Sequence, residues 1–222
     1  MISALFGSLV MLGGSACAAD MTFRMVPIGA PSRCGDKCVR VISAEGEITS
    51  TTPGDFVRFV RDHIGDPRAR SVVFMHSPGG KVVASMELGK VFRKLGAAVV
   101  IARVATPEPG SGEQGGFTAA RCFSACVYAL MGAKKRVVPP RSLVGIHRMF
   151  LLEAQRDPDS PGGQSMTRLY ADGDIVKNLS RYAGMMGISN DLVKTAESVS
   201  PDHIHIVSAQ ELRRWRLGST KF

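Results

Sequence analysis

An α/β domain built on parallel strands is the fold class this sequence predicts, and three observations predict it. Residues 71–76 (Ser-Val-Val-Phe-Met-His) are a short β-branched, apolar run, the mark of a strand buried on both faces. That run ends in Ser77-Pro78-Gly79-Gly80. Residues 82–95 then bring Val83, Met86, Leu88, Val91, Phe92 and Leu95 round at helical spacing, and Gly96 stops them. A second apolar run covers 97–104, so the segment reads strand–helix–strand, a crossover between parallel strands.

The other elements are justified in the same way. Residues 22–28 and 38–43 read as strands, the second leading into a Glu45-Gly46-Glu47 turn. Thr52-Pro53-Gly54-Asp55 opens a helix whose Phe56, Val57, Phe59, Val60 and Ile64 recur at helical spacing, and Gly65-Asp66-Pro67 ends it. The Pro/Gly-rich stretch 106–116 reads as a flexible loop. Residues 119–131 read as a helix carrying Ser124 near its start. Short strands are expected at 136–138 and 143–148, split by Pro139-Pro140, and a polar loop at 155–164. Helices over 166–186 and 190–198, a strand at 204–207 and a last helix at 208–216 complete the chain.

At 222 residues, 45% hydrophobic and 21% charged, the chain suits one globular domain with a proper core. Residues 1–12 are apolar and uncharged, and Ala16-Cys17-Ala18 ends the small-residue stretch behind them. This reads as a signal peptide over 1–19, leaving a domain over 20–222 in the periplasm or outside the cell. Twelve apolar residues are too few to span a bilayer, and anchoring as a lipoprotein through Cys17 is the lesser reading. Export leaves Cys34, Cys38, Cys122 and Cys126, an even set that permits disulfides in any of three pairings. Cys34 and Cys38 flank a turn-like Gly35-Asp36-Lys37, which suits a local bridge. Cys122 and Cys126 would face each other awkwardly across a helical turn, so cross-links between the pairs, or a zinc site, stand as alternatives. The formal charge of +9 comes from cations scattered along the chain without interleaved aromatics, which points to a basic surface and away from nucleic acid. No cofactor-binding pattern or metal-ligand set is expected; His203 and His205 with Asp202 read as a strand edge.

Three features carry chemistry. Ser124 lies in Arg121-Cys122-Phe123-Ser124-Ala125-Cys126 at an expected helix start, and His147 closes Val144-Gly145-Ile146-His147. Gly79-Gly80 follows a buried strand. A serine hydroxyl attacks only when a base takes its proton, and histidine is the usual base near neutral pH. Backbone N–H groups at a glycine turn or a helix start can stabilise the oxyanion, which nominates Gly79, Gly80 and the N–H of Ser124 itself or of Ala125. Taken alone, the serine is an ordinary N-cap, the histidine a structural residue and the glycines a common turn. Their ordered combination is what points to acyl transfer.

The same segments carry a family resemblance. Residues 73–80, Cys122-Phe123-Ser124-Ala125-Cys126, Gly145-Ile146-His147 and residues 206–212 together resemble the Clp-protease/crotonase superfamily, and most closely its exported, periplasmic Clp-protease-like members. The similarity runs from about residue 38 to 217. It implies an α/β fold of repeated β-β-α units, with Ser124 as nucleophile, His147 as base, and Gly79 or Gly80 with Ala125 as oxyanion donors. The family's acid aligns with Ser200, so Asp202 becomes the residue expected to orient His147. The resemblance further implies a peptide or protein substrate and a homo-oligomer. An ATP-driven partner is not expected, because an exported protein has no ATP supply. The alternative is a non-catalytic envelope scaffold on the same fold; an acyl-CoA enzyme is disfavoured by export.

Overall fold

The structure is a computed structural model that describes residues 19–29, 31–105, 116–170 and 172–221. The expected signal peptide up to residue 18, and the expected loop over 106–116 up to residue 115, lie outside the described residues. The chain opens with β1 (Thr22–Ile28), a short α1 (Pro31–Cys34), β2 (Val39–Glu45), α2 (Thr52–His63), β3 (Ala69–His76) and α3 (Val82–Lys94). It continues through β4 (Ala98–Val100), β5 (Ala102–Val104), β6 (Phe117–Ala119), β7 (Arg121–Phe123), α4 (Cys126–Gly132), β8 (Lys135–Val137) and β9 (Leu143–Ile146). A hairpin of β10 (Phe150–Arg156) and β11 (Gln164–Tyr170) precedes α5 (Gly173–Met185), α6 (Asp191–Ser198), β12 (His205–Ile206) and α7 (Ala209–Arg214).

The main sheet has the order β1-β2-β3-β4-β8, parallel from β2 to β8 with β1 antiparallel at the edge. Alternation along its strands sorts the core into two. Ile42, Val73, Met75 and Val99 join the larger cluster with Phe56 of α2 and Leu88 and Phe92 of α3. Val41, Phe74, Val100 and Val137 face the other way, against Ala102 and Val104 of β5. The Phe74 and Phe117 rings close that second side at 4.6 Å, edge to face. Both sides are apolar, which is why residues 71–76 read as a continuous run and not as an alternation.

A second sheet, β12-β9-β7, is joined to the first by a Ser77–Cys122 bridge beyond the end of β3. Packed on α3, β7 and β9, α4 is buried at every residue, the only environment that a helix of Cys-Val-Tyr-Ala-Leu-Met-Gly can occupy stably. The Tyr182 hydroxyl of α5 donates to Tyr128 O of α4 at 2.8 Å. Side-chain caps set two of the later helices: Asp172 accepts from the Asp174 and Ile175 N–H groups, and Ser208 with Glu211 forms a capping box.

Three expectations need correction. Ala119 ends β6 and residues 121–123 are β7, and the helix begins only at Cys126. The 97–104 run is split at Ile101, where the chain leaves one sheet for another. The expected loop at 155–164 and the first part of the expected helix at 166–186 form instead the β10–β11 hairpin, with α5 starting at Gly173. The first of these corrections also settles the cysteines. With Cys122 in a strand and Cys126 at a helix start, the two Cα atoms lie 5.3 Å apart and the sulfurs are bonded. Cys34 and Cys38 are bonded as well, at a Cα separation of 4.9 Å, so both bridges are local and neither pair is available to a metal. No described helix is long and apolar enough to cross a membrane.

Candidate active site

Ser124 occupies the two-residue turn between β7 and α4, inside the five-residue ring closed by Cys122–Cys126. Its φ is 55°, a left-handed value unusual for any residue but glycine. Several bonds hold it there. The Ser124 N–H donates to Gly145 O at 2.9 Å, extending the parallel β7–β9 ladder by one step. Its carbonyl accepts from the Val127 N–H at 3.1 Å, the first turn of α4. The side chain is half-buried, above a helix buried throughout.

The glycine turn lies directly against it. A Cβ on Gly79 would stand 2.8 Å from Phe123 O and 2.9 Å from Ser124 Cβ, and φ is +118° there, so both space and backbone demand glycine. Gly79 O accepts from the Ile48 N–H at 2.8 Å, and Ile48 O accepts from the Lys81 N–H at 2.7 Å. That bridge turns the Gly80 N–H away from Ile48, and among the described residues it has no acceptor. The Ala125 N–H likewise donates to no described residue. The Gly79 N–H is engaged by Ser77 Oγ at 3.1 Å. Of the expected donors, then, Gly80 and Ala125 are unengaged, and Gly79 and Ser124 are occupied.

His147 follows β9 directly, two residues beyond the carbonyl that Ser124 holds. Its Nδ1 lies 2.8 Å from Arg148 O. A carbonyl can only accept, so Nδ1 carries a proton, and in the neutral ring that leaves the lone pair on Nε2, the tautomer a general base needs. The Arg148 N–H in turn donates to Val199 O at 2.8 Å, which pins this segment to the end of α6.

The acid is where the sequence reading and the structure part. Asp202 was expected behind His147, but its carboxylate pairs with Arg168 of β11, which also holds it below the usual carboxylate range. The unforeseen hairpin supplies that cation. Glu197, near the end of α6, is a carboxylate within reach of the His147 charge. Burial pushes the Glu197 carboxyl up, while the Met149 N–H and the charges of Arg148 and His147 pull the other way. Its Oε2 is 3.7 Å from Arg148 Nε, and its Oε1 is buried without a hydrogen bond. One signal in the sequence could have found it: Glu197 is four residues after Val193, so it shares the apolar face of Leu192, Val193 and Ala196. His76, just before the glycine turn, accepts from the Arg121 N–H at 3.1 Å, and its pKa is lowered chiefly by burial.

Elements and site together define a mixed α/β fold of the kind found in a known protease. Two mutant forms of the 1510-N membrane-bound stomatin-specific protease, the second in complex with a substrate peptide, match at TM-score 0.50 and 17% identity. The matches cover 79% and 82% of this chain and 76% and 74% of theirs. At that identity the likeness is one of fold, in line with the Clp-protease-like α/β fold expected from the sequence. No family model and no curated protein matches the chain.

Proposed function

We propose that the protein is an exported serine hydrolase, peptidase-like and independent of ATP, working through Ser124 and His147. The observation that carries this reading is the Ser124 turn: a left-handed serine in a disulfide-closed ring, packed on Gly79 and bonded to the strand that leads into His147. His147 Nε2 takes the hydroxyl proton as Oγ bonds to the substrate carbonyl carbon, and the carbonyl electron pair moves onto oxygen. The N–H groups of Gly80 and Ala125 receive that oxyanion. Collapse expels the leaving group, which takes the proton from His147, and water repeats the sequence to release the acyl group. Glu197 takes the place expected of Asp202: its charge favours the imidazolium, while the Arg148 carbonyl fixes the tautomer. The substrate class is an unfolded or short peptide, as the likeness to a peptide-bound protease fold suggests. Two local disulfides and the apolar leader at residues 1–19 support a location outside the cytoplasm.

One observation favours the scaffold reading. Among the described residues no hydrogen bond joins Ser124 Oγ to His147, although such contacts commonly tighten only when substrate is bound. Labelling by a fluorophosphonate probe separates the two readings. A hydrolase is labelled, and loses labelling in both Ser124→Ala and His147→Ala. Absence of labelling in folded, oxidised protein leaves the scaffold.

A further inference from the structure

The N-terminal ends of the parallel strands form an edge opposite the Ser77–Gly80 end of β3, and the proposed hydrolase does not use it. A cavity of about 260 Å³ opens there, walled by Met25, Phe56, Phe59 and Val60. Ile64 and Leu95 also line it although they are 83% and 40% exposed, so they stand at its mouth with apolar surface in water.

Cations lie along the same edge. Arg70 lines the cavity, and its guanidinium donates only to the Pro67 and Ala69 carbonyls. Lys94 directly precedes Leu95 at the end of α3. The Lys134 N–H donates to the carbonyl of Ala97, itself a lining residue, and Lys135 pairs in register with Ala98. Lys94, Lys134 and Lys135 are exposed, and no described carboxylate pairs with them or with Arg70. The acids nearby are neutralised: Asp66 is held by Arg68 at 2.9 Å and Arg40 at 3.2 Å, and Asp62 by Arg61 at 3.5 Å.

From this juxtaposition we infer that the edge is a docking surface for an anionic lipid bilayer, with Lys94, Lys134, Lys135 and Arg70 on the headgroups and Ile64 and Leu95 at the acyl boundary. Unpaired cations select the anionic partner, and a lipid surface supplies charge and apolar matter together. A soluble anion satisfies only the cations, and an acidic peptide leaves Ile64 and Leu95 in water. Docked in this way, the protein holds the Ser124 site on the side away from the membrane.

Co-sedimentation of the oxidised protein with phosphatidylcholine vesicles, with and without phosphatidylglycerol, tests this. Binding is expected only with phosphatidylglycerol, and Lys94→Glu/Lys134→Glu should weaken it by roughly tenfold or more. Arg156→Glu/Lys177→Glu, on β10 and α5, makes the same change in net charge and should leave binding within about twofold. Ile64→Ser should weaken binding about threefold at unchanged charge. Equal loss from the two charge pairs would mean that the overall +9 is responsible, and would overturn the assignment. So would absence of binding, binding unaffected by Ile64→Ser, or competition by free glycerophosphate at concentrations matching the lipid.

Discussion

Ser124 adopts a backbone conformation that disfavours every residue but glycine, at a cost of about 1–3 kcal/mol, and its neighbours hold it there. Ser124→Gly should therefore stabilise the fold by about 1 kcal/mol in urea denaturation while abolishing any hydrolysis, a trade of stability against chemistry. Glu197 poses a related conflict. Its folded pKa is raised, so the stability linked to its neutral form is present below the unfolded carboxylate range and is lost as pH rises through the folded value. Glu197→Gln should then raise the melting temperature at pH 7, and the gain should vanish in acid. Turnover should fall on the order of tenfold, well short of the loss seen when the tautomer itself is wrong, because Arg148 O still holds Nδ1–H. No change in turnover would remove Glu197 from the site.

Among the elements, the β7–turn–α4 unit is decisive. The Cys122–Cys126 ring spans the turn that orients Ser124, and both cysteines are fully buried. Cys122→Ser/Cys126→Ser should fold, since α4 stays packed, yet lose most fluorophosphonate reactivity because the turn can relax from φ 55°. Loss of the Cys34–Cys38 bridge, remote from the turn, should leave reactivity unchanged. The sequence made part of this unit legible. The run at 71–76, the glycines and the β9 strand could be placed because each has one strong local cause: β-branching, a turn no other residue can make, an apolar run closed by prolines. Residues 119–123 misled because Ala, Cys and Phe satisfy a helix as well as a strand, and the alternation of exposed Ala119 and Arg121 with buried Ala120 and Cys122 is too short to stand out in the sequence. The hairpin misled for the opposite reason. Met166, Leu169 and Tyr170 fall at helical spacing, and a strand with nothing fully buried on either face has no clear apolar alternation to betray it.

At the scale of the whole molecule, that same hairpin stands out. Leu151 pairs across it with Leu169, and Leu152, Met166 and Tyr170 are also exposed, on a two-stranded sheet that no other strand extends among the described residues. Two isolated strands are marginal in water, so the account expects a second copy of the chain to cover them. Sedimentation should find an oligomer that Leu151→Ser/Leu169→Ser returns to monomer; a monomeric wild type would contradict this. The hairpin also explains why the acid could not be read from the sequence. Chain position alone points to Asp202, and only the fold shows that Arg168 pairs with it while α6 brings Glu197 to the His147 segment.

The central claim is that Ser124 is an activated nucleophile, and mass-spectrometric mapping of the fluorophosphonate adduct on the oxidised wild-type protein tests it most directly. The account predicts a single adduct on the peptide carrying Ser124, absent from His147→Ala. An adduct on another residue, or none on folded protein, would contradict it.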